Sequence, residues 1–267
     1  MTSKTPIIFD FGSRKVTVSL NIDPGYVCDR NTLQAIKIDG MCEPEVAHLM
    51  NRVLREGDRA IDIGANIGVF SLLMSELVGK TGSVMAFEPT AVTFQKLREN
   101  LKLNRASNVF PVCQALWDKS EPVKLYMEVD SGRNSLRRTS NTISSTKLEA
   151  TTLGAALSFS SCRLIKMDAE GSEERIMLGA PHLATPKNTP YIVSELNDEM
   201  LQMFETSDQH FRRWMATRGY GCFWLHSDGS LPTLIPPITK ISTMRANVNV
   251  LFSTVEYVGW AWPEITA

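Results

Sequence analysis

The run Asp62-Ile63-Gly64-Ala65-Asn66-Ile67-Gly68-Val69-Phe70 constrains the fold more than any other part of this chain. Arg59 to Ile63 reads as a short buried strand, Gly64 and Gly68 punctuate a turn, and Ser71 to Val78 carries apolar residues at helical spacing. A glycine turn that opens a helix offers backbone N–H groups to a ligand, and its glycines remove side chains where backbone must pass that ligand closely. The next acidic residue at a predicted strand end is Glu88, 26 positions beyond Asp62, after Ser83-Val84-Met85-Ala86-Phe87. At the carboxyl edge of a neighbouring parallel strand, such a carboxylate can accept both hydroxyl protons of a ribose.

What the turn lacks narrows the nucleoside. A dinucleotide fold needs G-x-G-x-x-G and a P-loop needs G-x-x-x-x-G-K-[ST], whereas here the pattern is Gly64-x-x-x-Gly68 with no lysine after it. Neither phosphate cradle is present. Asp62, just ahead of the turn, is a poor neighbour for phosphate and a good one, directly or through water, for an ammonium group. S-adenosylmethionine combines that ammonium with a ribose and no phosphate. A purely structural alternative has Asp62 capping the turn and Glu88 capping the helix after Pro89.

The remaining pattern organises around this unit. Val16, Val18, Leu20 and Ile22 alternate as in short antiparallel strands, which are expected to cap the main sheet. Pro44 to Leu54 has an apolar helical stripe with Gly57 as its stop. The order strand, helix, strand (Ser83 to Phe87), helix (Ala91 to Leu103), strand (Val109 to Cys113) predicts right-handed crossovers and a parallel sheet. A hairpin is expected around Pro122 to Glu128 and a polar loop over Ser131 to Thr142, lying above the cofactor edge. Further strands are predicted at Arg163 to Met167, Tyr191 to Ser194, Cys222 to Leu225 and Val248 to Phe252, with helices from near Ser172 and over Gln209 to Arg218. The expected fold is α/β: a seven-stranded, doubly wound, Rossmann-like and mostly parallel sheet with helices on both faces and a small N-terminal β/α cap. The cap is assigned to residues 1–40 and the main domain to residues 41–267.

Composition excludes several classes. The 267 residues, 43% hydrophobic, can bury one large core, and a net charge of −1 disfavours a broad nucleic-acid or anionic-membrane surface. Five cysteines (Cys28, Cys42, Cys113, Cys162, Cys222) form no C-x-x-C pair and have no histidine nearby for zinc, which fits reduced thiols in a cytosol. Cys113 and Cys162, in or beside strand patterns, are expected to behave as small core hydrophobes. No signal peptide and no stretch of the roughly 20 apolar residues needed for a membrane span is read, so a soluble, cytoplasmic protein is expected.

Beside these readings, several blocks resemble the FkbM-type methyltransferases of the class I, S-adenosylmethionine-dependent superfamily. They are Glu43-Pro44-Glu45, Asp62 to Gly68, Phe87-Glu88-Pro89, Ile165-Lys166-Met167-Asp168-Ala169-Glu170-Gly171-Ser172-Glu173 and Ser194-Glu195, together covering about residues 40 to 200. One departure is Thr152-Leu153-Gly154, where the family usually shows Thr-Leu-Asp. The resemblance implies methyl transfer from S-adenosylmethionine, leaving S-adenosylhomocysteine, to the hydroxyl or carboxyl oxygen of a small molecule or sugar in secondary metabolism. N-methylation of a small molecule is the nearest variant, a non-catalytic S-adenosylmethionine-binding module is the alternative class, and a nucleotide-dependent oxidoreductase is disfavoured by the missing third glycine.

Site assignments follow strand ends. Gly64, Ala65, Asn66 and Gly68, with Asp62, are expected to hold the methionine portion, Glu88 the ribose, Pro89 and Thr90 the adenine edge, and Gln114 with Ala115 its other face. Glu43 is expected to lid the site. Methyl transfer is an in-line displacement, so alignment and water exclusion matter most, and a carboxylate within reach removes the acceptor's proton. Asp168, Glu170 and Glu195 are the candidates, Asp168 also touching cofactor. The same three carboxylates suit a magnesium ion, but no D-x-D pattern accompanies them and no metal is assigned. Arg133, Arg137 and Arg138 with Asn134 read as a solvated loop or an anion clamp. His210 and His226 read as surface histidines and Trp214, Trp224, Trp260 and Trp262 as packing residues, with acceptor contact the sharper alternative. The expected partner is a small molecule, with no nucleic acid and no membrane, and a homodimer is left open by the apolar segment Val258 to Trp262.

Overall fold

A computed structural model describes residues 3–23, 25, 32–34, 40–241 and 247–263. Cys28 lies outside the described residues, as does part of the predicted cap. The chain opens with a hairpin, β1 (Ser3–Asp10) and β2 (Lys15–Ile22), paired antiparallel over its whole length. The inward side chains Ile7, Phe9, Val16, Val18, Leu20 and Ile22 are all buried, as their alternation requires. This hairpin packs on two helices, and buried Asn100 with half-buried Asn104 pins it there by accepting from the Asn21 and Ser19 N–H groups at 2.7 Å each. Asn100 also donates to the Ile67 carbonyl at 2.8 Å, joining the hairpin to the glycine turn.

The main unit runs α1 (Pro44–Val53), β3 (Arg59–Ile63), α2 (Val69–Val78), β4 (Ser83–Phe87), α3 (Ala91–Leu103) and β5 (Val109–Val112). It continues, after the insertion described below, with β9 (Leu164–Met167), α5 (Glu173–Leu178), β10 (Tyr191–Leu196), α6 (Asp198–Met203), α7 (Asp208–Thr217), β11 (Gly221–Trp224), β12 (Thr233–Leu234), β13 (Val248–Ser253) and α8 (Val255–Ala261). The sheet order is β12-β11-β13-β10-β9-β3-β4-β5. The β5-β4-β3-β9-β10 half is parallel, and β13, β11 and β12 join antiparallel. The sheet therefore has eight strands and is mixed, where seven mostly parallel strands were expected. The extra one, β12, is a two-residue edge strand too short to leave a periodic signal.

Neighbouring residues of each central strand face opposite layers. Ala60 of β3 enters a core with α1, α2 and the hairpin, whereas Ile61 and Ile63 enter a second core with α5 and α7. Both faces are thus covered, which explains why these strands read as nearly continuous apolar runs. The insertion between β5 and β9 folds as a three-stranded sheet, β6 (Ala115–Trp117), β8 (Ser144–Thr152) and β7 (Pro122–Met127), followed by the single-turn α4 (Leu153–Ala156). Only its β7 segment was predicted, because β8 is polar and largely exposed, with no apolar face to read. Cys162 is buried as expected, but Cys113 is exposed, since β5 ends at Val112 and leaves it on the sheet rim.

Candidate active site

Strand register builds the site. Val112, Phe87, Ile63, Met167 and Ser194 form one transverse row across β5, β4, β3, β9 and β10. The next residue of each strand, Cys113, Glu88, Gly64, Asp168 and Glu195, therefore stands on a common rim at the carboxyl edge. Chain order reverses here, β4 lying on one side of β3 and β9 on the other, and such a switch point leaves a crevice. The crevice holds about 660 Å³ of open space including its mouth, within the range of small-ligand sites. Gly64, Asn66, Glu88, Pro89, Thr90, Gln114, Ala115, Asp168 and Glu170 all line it. So do Gly132, Asn134 and Leu136 of the inserted segment, which borders this crevice.

Glu88 is fixed from both sides. One carboxylate oxygen accepts from Thr90 N–H at 2.8 Å and the other from Asn66 N–H at 3.2 Å, leaving each oxygen a further lone pair for a hydroxyl. Burial pushes the group up to about 7 despite those donors. Asn66 takes a left-handed backbone, φ 50°, and its side-chain oxygen is a buried acceptor without a protein partner on the crevice wall. Asn134 donates to Thr90 Oγ1 at 3.1 Å, fastening the inserted loop to the turn.

Other predicted residues lie behind the wall. Asp62 is fully buried two rows below the rim, where Oδ2 accepts from Ser71 Oγ at 2.6 Å and Oδ1 has no partner. Ala65 is buried, and Gly68 starts α2 at φ 95°, where a Cβ would press on Leu97. Glu43, at φ 41° ahead of α1, accepts from Asn249 Nδ2 at 3.1 Å, and Glu45 accepts from the same nitrogen at 2.9 Å. None of these four lines the crevice.

Charge concentrates where β9 and β10 end. Lys166, 4% exposed, is the register neighbour of Asp62 and places Nζ 3.3 Å from Asp168 Oδ2 and 5.2 Å from the Phe70 ring centroid. Burial alone would lower this ammonium, but Asp168, Asp62 and Glu43 together outweigh it and hold its pKa above the ordinary lysine value. Burial, then Asp168, pushes Glu170 up to about 8; burial, then Asp168, Glu170 and Glu43, pushes Glu195 up to about 9. Glu170 also sits in the left-handed region, φ 50°. Strained backbone of this kind clusters at functional sites. Glu173 has a different part: Oε1 accepts from the Ala169 and Gly171 N–H groups at 2.9 and 3.2 Å, closing the turn that presents Asp168 and Glu170. Glu195 is on the rim but opens into a second cleft. Lys166 and Asn249 were missed from sequence; the signal for Lys166 is a lysine inside an otherwise apolar strand.

The loop arginines separate. Arg137 donates to Met203 O at 3.1 Å and lies over Phe204, a packing role, whereas Arg133 and Arg138 face a cleft bordered by Glu170. His210 bonds Glu174 and His226 bonds Thr233, each away from the crevice. Trp262 is buried, donating to Gly229 O at 3.1 Å, and Trp260 is 61% exposed. Among the described residues no helix is long and apolar enough to cross a membrane, and no group of three His, Cys, Asp or Glu is arranged to hold a metal ion.

Protonation gives a direct check on Glu88. A ligand diol held at Glu88 would donate to its ionised form, so on that assignment S-adenosylhomocysteine affinity is expected to rise as pH passes from 6 to 8 through about 7, by about tenfold, since one pKa unit corresponds to about 1.4 kcal/mol. Calorimetry on Glu88→Gln should show weaker binding with that pH dependence gone; a glutamine variant that keeps the slope would locate the titration elsewhere.

The chain is similar to several known proteins. A ribosomal protein L11 methyltransferase from Acetivibrio thermocellus is 27% identical over 100 residues, 38% of this chain, and the match spans 29% of that relative's length. Among solved structures, Aeropyrum pernix fibrillarin with natively bound S-adenosyl-L-methionine is 13% identical at a TM-score of 0.44, covering 94% of this chain and 97% of that one. Precorrin-6y C5,15-methyltransferase from Geobacter metallireducens is 16% identical at a TM-score of 0.41, covering 79% and 87%. The model of the methyltransferase FkbM domain matches residues 62–222, more than half the chain and the whole segment from Asp62 through the crevice to β11. The chain thus belongs to the FkbM methyltransferase family and is an S-adenosylmethionine-dependent methyltransferase.

Proposed function

We propose that this enzyme methylates an oxygen, a hydroxyl or carboxyl, of a small molecule or sugar in the cytoplasm, and that the Glu88–Asn66 wall holds the cofactor. The observation that carries the cofactor part is the crevice wall: a carboxylate with a spare lone pair on each oxygen, beside Asn66, and no lysine or arginine among its described lining residues to receive phosphate. In this reading Gly64 and Asn66 border the amino-acid tail, Glu88 the ribose, and Pro89, Thr90, Gln114 and Ala115 the base. Asp62, Ala65, Gly68 and Glu43 act from behind, shaping the turn and the charge around it. Residues 1–40 are read as an appended cap and residues 41–267 as the catalytic domain.

When bound, S-adenosylmethionine supplies an electrophilic methyl group on a sulfonium. The chain supplies the proton acceptor. Glu170 borders both the crevice and the adjoining cleft, and its carboxyl, raised to about 8 by burial and Asp168, is tuned to accept a proton from an alcohol held beside it. Asp168 and Glu195 flank it on the rim and favour a polarised hydroxyl over a dissociated anion.

The test is methylation of a panel of hydroxyl, carboxyl and amine compounds, read by mass spectrometry. Product on oxygen is expected, and Glu170→Gln should lower turnover about 10²–10³-fold, the size of a general-base contribution, while S-adenosylhomocysteine affinity stays within about twofold. Product on nitrogen alone would replace the oxygen reading, and a chain that binds cofactor without turnover on any compound would be a binding module.

A further inference from the structure

The inserted sheet presents a different surface on each side. Leu116 on β6 and Leu125 on β7 turn inward, where both are buried and line the crevice. Strand alternation sends their neighbours Trp117, Lys124 and Tyr126 outward, onto a separate cleft with about 850 Å³ of open space. Arg137, from the loop after β7, and Arg175 of α5 extend its charged wall, and Pro122 and Leu136 add apolar surface. Among the described residues only Leu136 borders both cavities, so an occupant of this cleft is held across the inserted sheet from the crevice.

The charges in this cleft do not cancel. Lys119 pairs with Glu121 at 3.2 Å and Arg175 with Asp118 at 3.0 Å, which uses both carboxylates of the lining and leaves Lys124 and Arg137 without one. Both cations are held in place. Arg137 donates through Nε to Met203 O at 3.1 Å and lies 5.2 Å from the Phe204 ring centroid, so its terminal nitrogens remain for a ligand. Lys124 Nζ stands 5.2 Å from the Tyr126 ring centroid. Tyr126 bridges antiparallel to Ser135; Lys124 comes two residues before the one and Arg137 two after the other, which puts both on the same face of that pairing. Cations ordered in advance lose less freedom when a ligand arrives.

A guanidinium fork beside an ammonium carries two positive charges. A phosphate monoester, nearly doubly ionised above a pH of about 6, meets both, whereas a carboxylate leaves one cation unmet. We infer that this outer cleft binds the phosphate of a small phosphorylated molecule between Lys124 and Arg137, with its carbon body against Pro122, Leu136 and Trp117. The site is separate from the crevice and independent of which compound is methylated there.

Calorimetry on the full chain at pH 8 and constant ionic strength tests this, with phenyl phosphate, inorganic phosphate and benzoate as probes. Phenyl phosphate is expected to bind most tightly, because it alone combines a dianion with an apolar body. Arg137→Ala should weaken it about tenfold or more, the size of one hydrogen bond to a charged group. Should that variant fail to fold, Lys124→Ala, at an exposed position on β7, takes its place with the same expectation. Arg138→Ala is the control for diffuse attraction: it removes the same charge from the neighbouring cleft and is expected to leave the affinity unchanged. No heat with phenyl phosphate, equal binding of inorganic phosphate or of benzoate, binding untouched by a folded variant, or equal weakening by Arg138→Ala would each overturn the inference.

Discussion

Gly64→Ala is expected to destabilise the fold by about 2–5 kcal/mol, combining a left-handed backbone cost of about 1–2 kcal/mol with an overpacking cost of about 1–3 kcal/mol. Gly64 has φ +75°, and a Cβ built there would lie 1.8 Å from the Asp168 carbonyl oxygen. That oxygen belongs to the backbone of the adjacent strand end, so relief requires β3 and β9 to separate at the site. Gly12 is the control: its φ is also +75°, but nothing lies within 4 Å of its Cβ position, so Gly12→Ala carries the conformational cost alone. Urea unfolding of the two variants should differ by about 1–3 kcal/mol, the overpacking cost. Equal midpoints would mean that the β3–β9 crossing has room to spare and that Gly64 is present only for its dihedral angles. This glycine's closest demand is therefore strand-to-strand contact, and ligand access is a consequence of the same bare surface.

Lys166→Met is expected to cost a similar amount, about 3–5 kcal/mol, because removing one partner leaves buried carboxylates without their counter-charge. The groups facing Lys166 are Asp62 on β3, Asp168 at the end of β9, Glu43 ahead of α1 and Glu195 at the end of β10. Lys166 lowers Glu43, now about 7, and Glu195, now about 9, so its loss moves both further up. An acid whose folded pKa exceeds its unfolded value binds more protons when folded, so stability falls as pH rises between the two values. The methionine variant should thus be hurt most at pH 9 and recover toward pH 5, and Lys166→Arg, which keeps the charge, should recover much of the loss at both. Thermal unfolding across that range measures it. A methionine variant with a flat pH dependence would show that these carboxylates find other partners.

Much of the candidate site is legible in the sequence. The β3 glycine turn, Glu88 after Phe87, and the Asp168-Ala169-Glu170 turn after Met167 all come out lining the crevice, because each sits one step past a strand whose apolar run ends visibly. Period and punctuation are local properties and survive in the chain as letters. Asp62 is expected to hold the methionine portion, directly or through water, but it lies two residues before the rim position Gly64, inside the strand, where it meets Ser71 and its register neighbour Lys166. Glu43 and Asn249, 206 positions apart, meet through a hydrogen bond that no local pattern announces. The inserted sheet was half seen, since exposed β8 has no hydrophobic alternation to betray it.

The sequence by itself determined the parallel α/β half of the sheet, the family and the row of strand-end residues that lines the crevice, since all of these depend on short-range spacing of apolar, glycine and acidic positions. Tertiary structure alone decided which carboxylates share Lys166, which glycine faces a neighbouring backbone, and that Trp224, His226 and Asn247 surround one cleft with Glu195. Those relations are set by strand register and by how distant segments pack, and pairwise distances across the fold leave no mark on the order of residues along the chain.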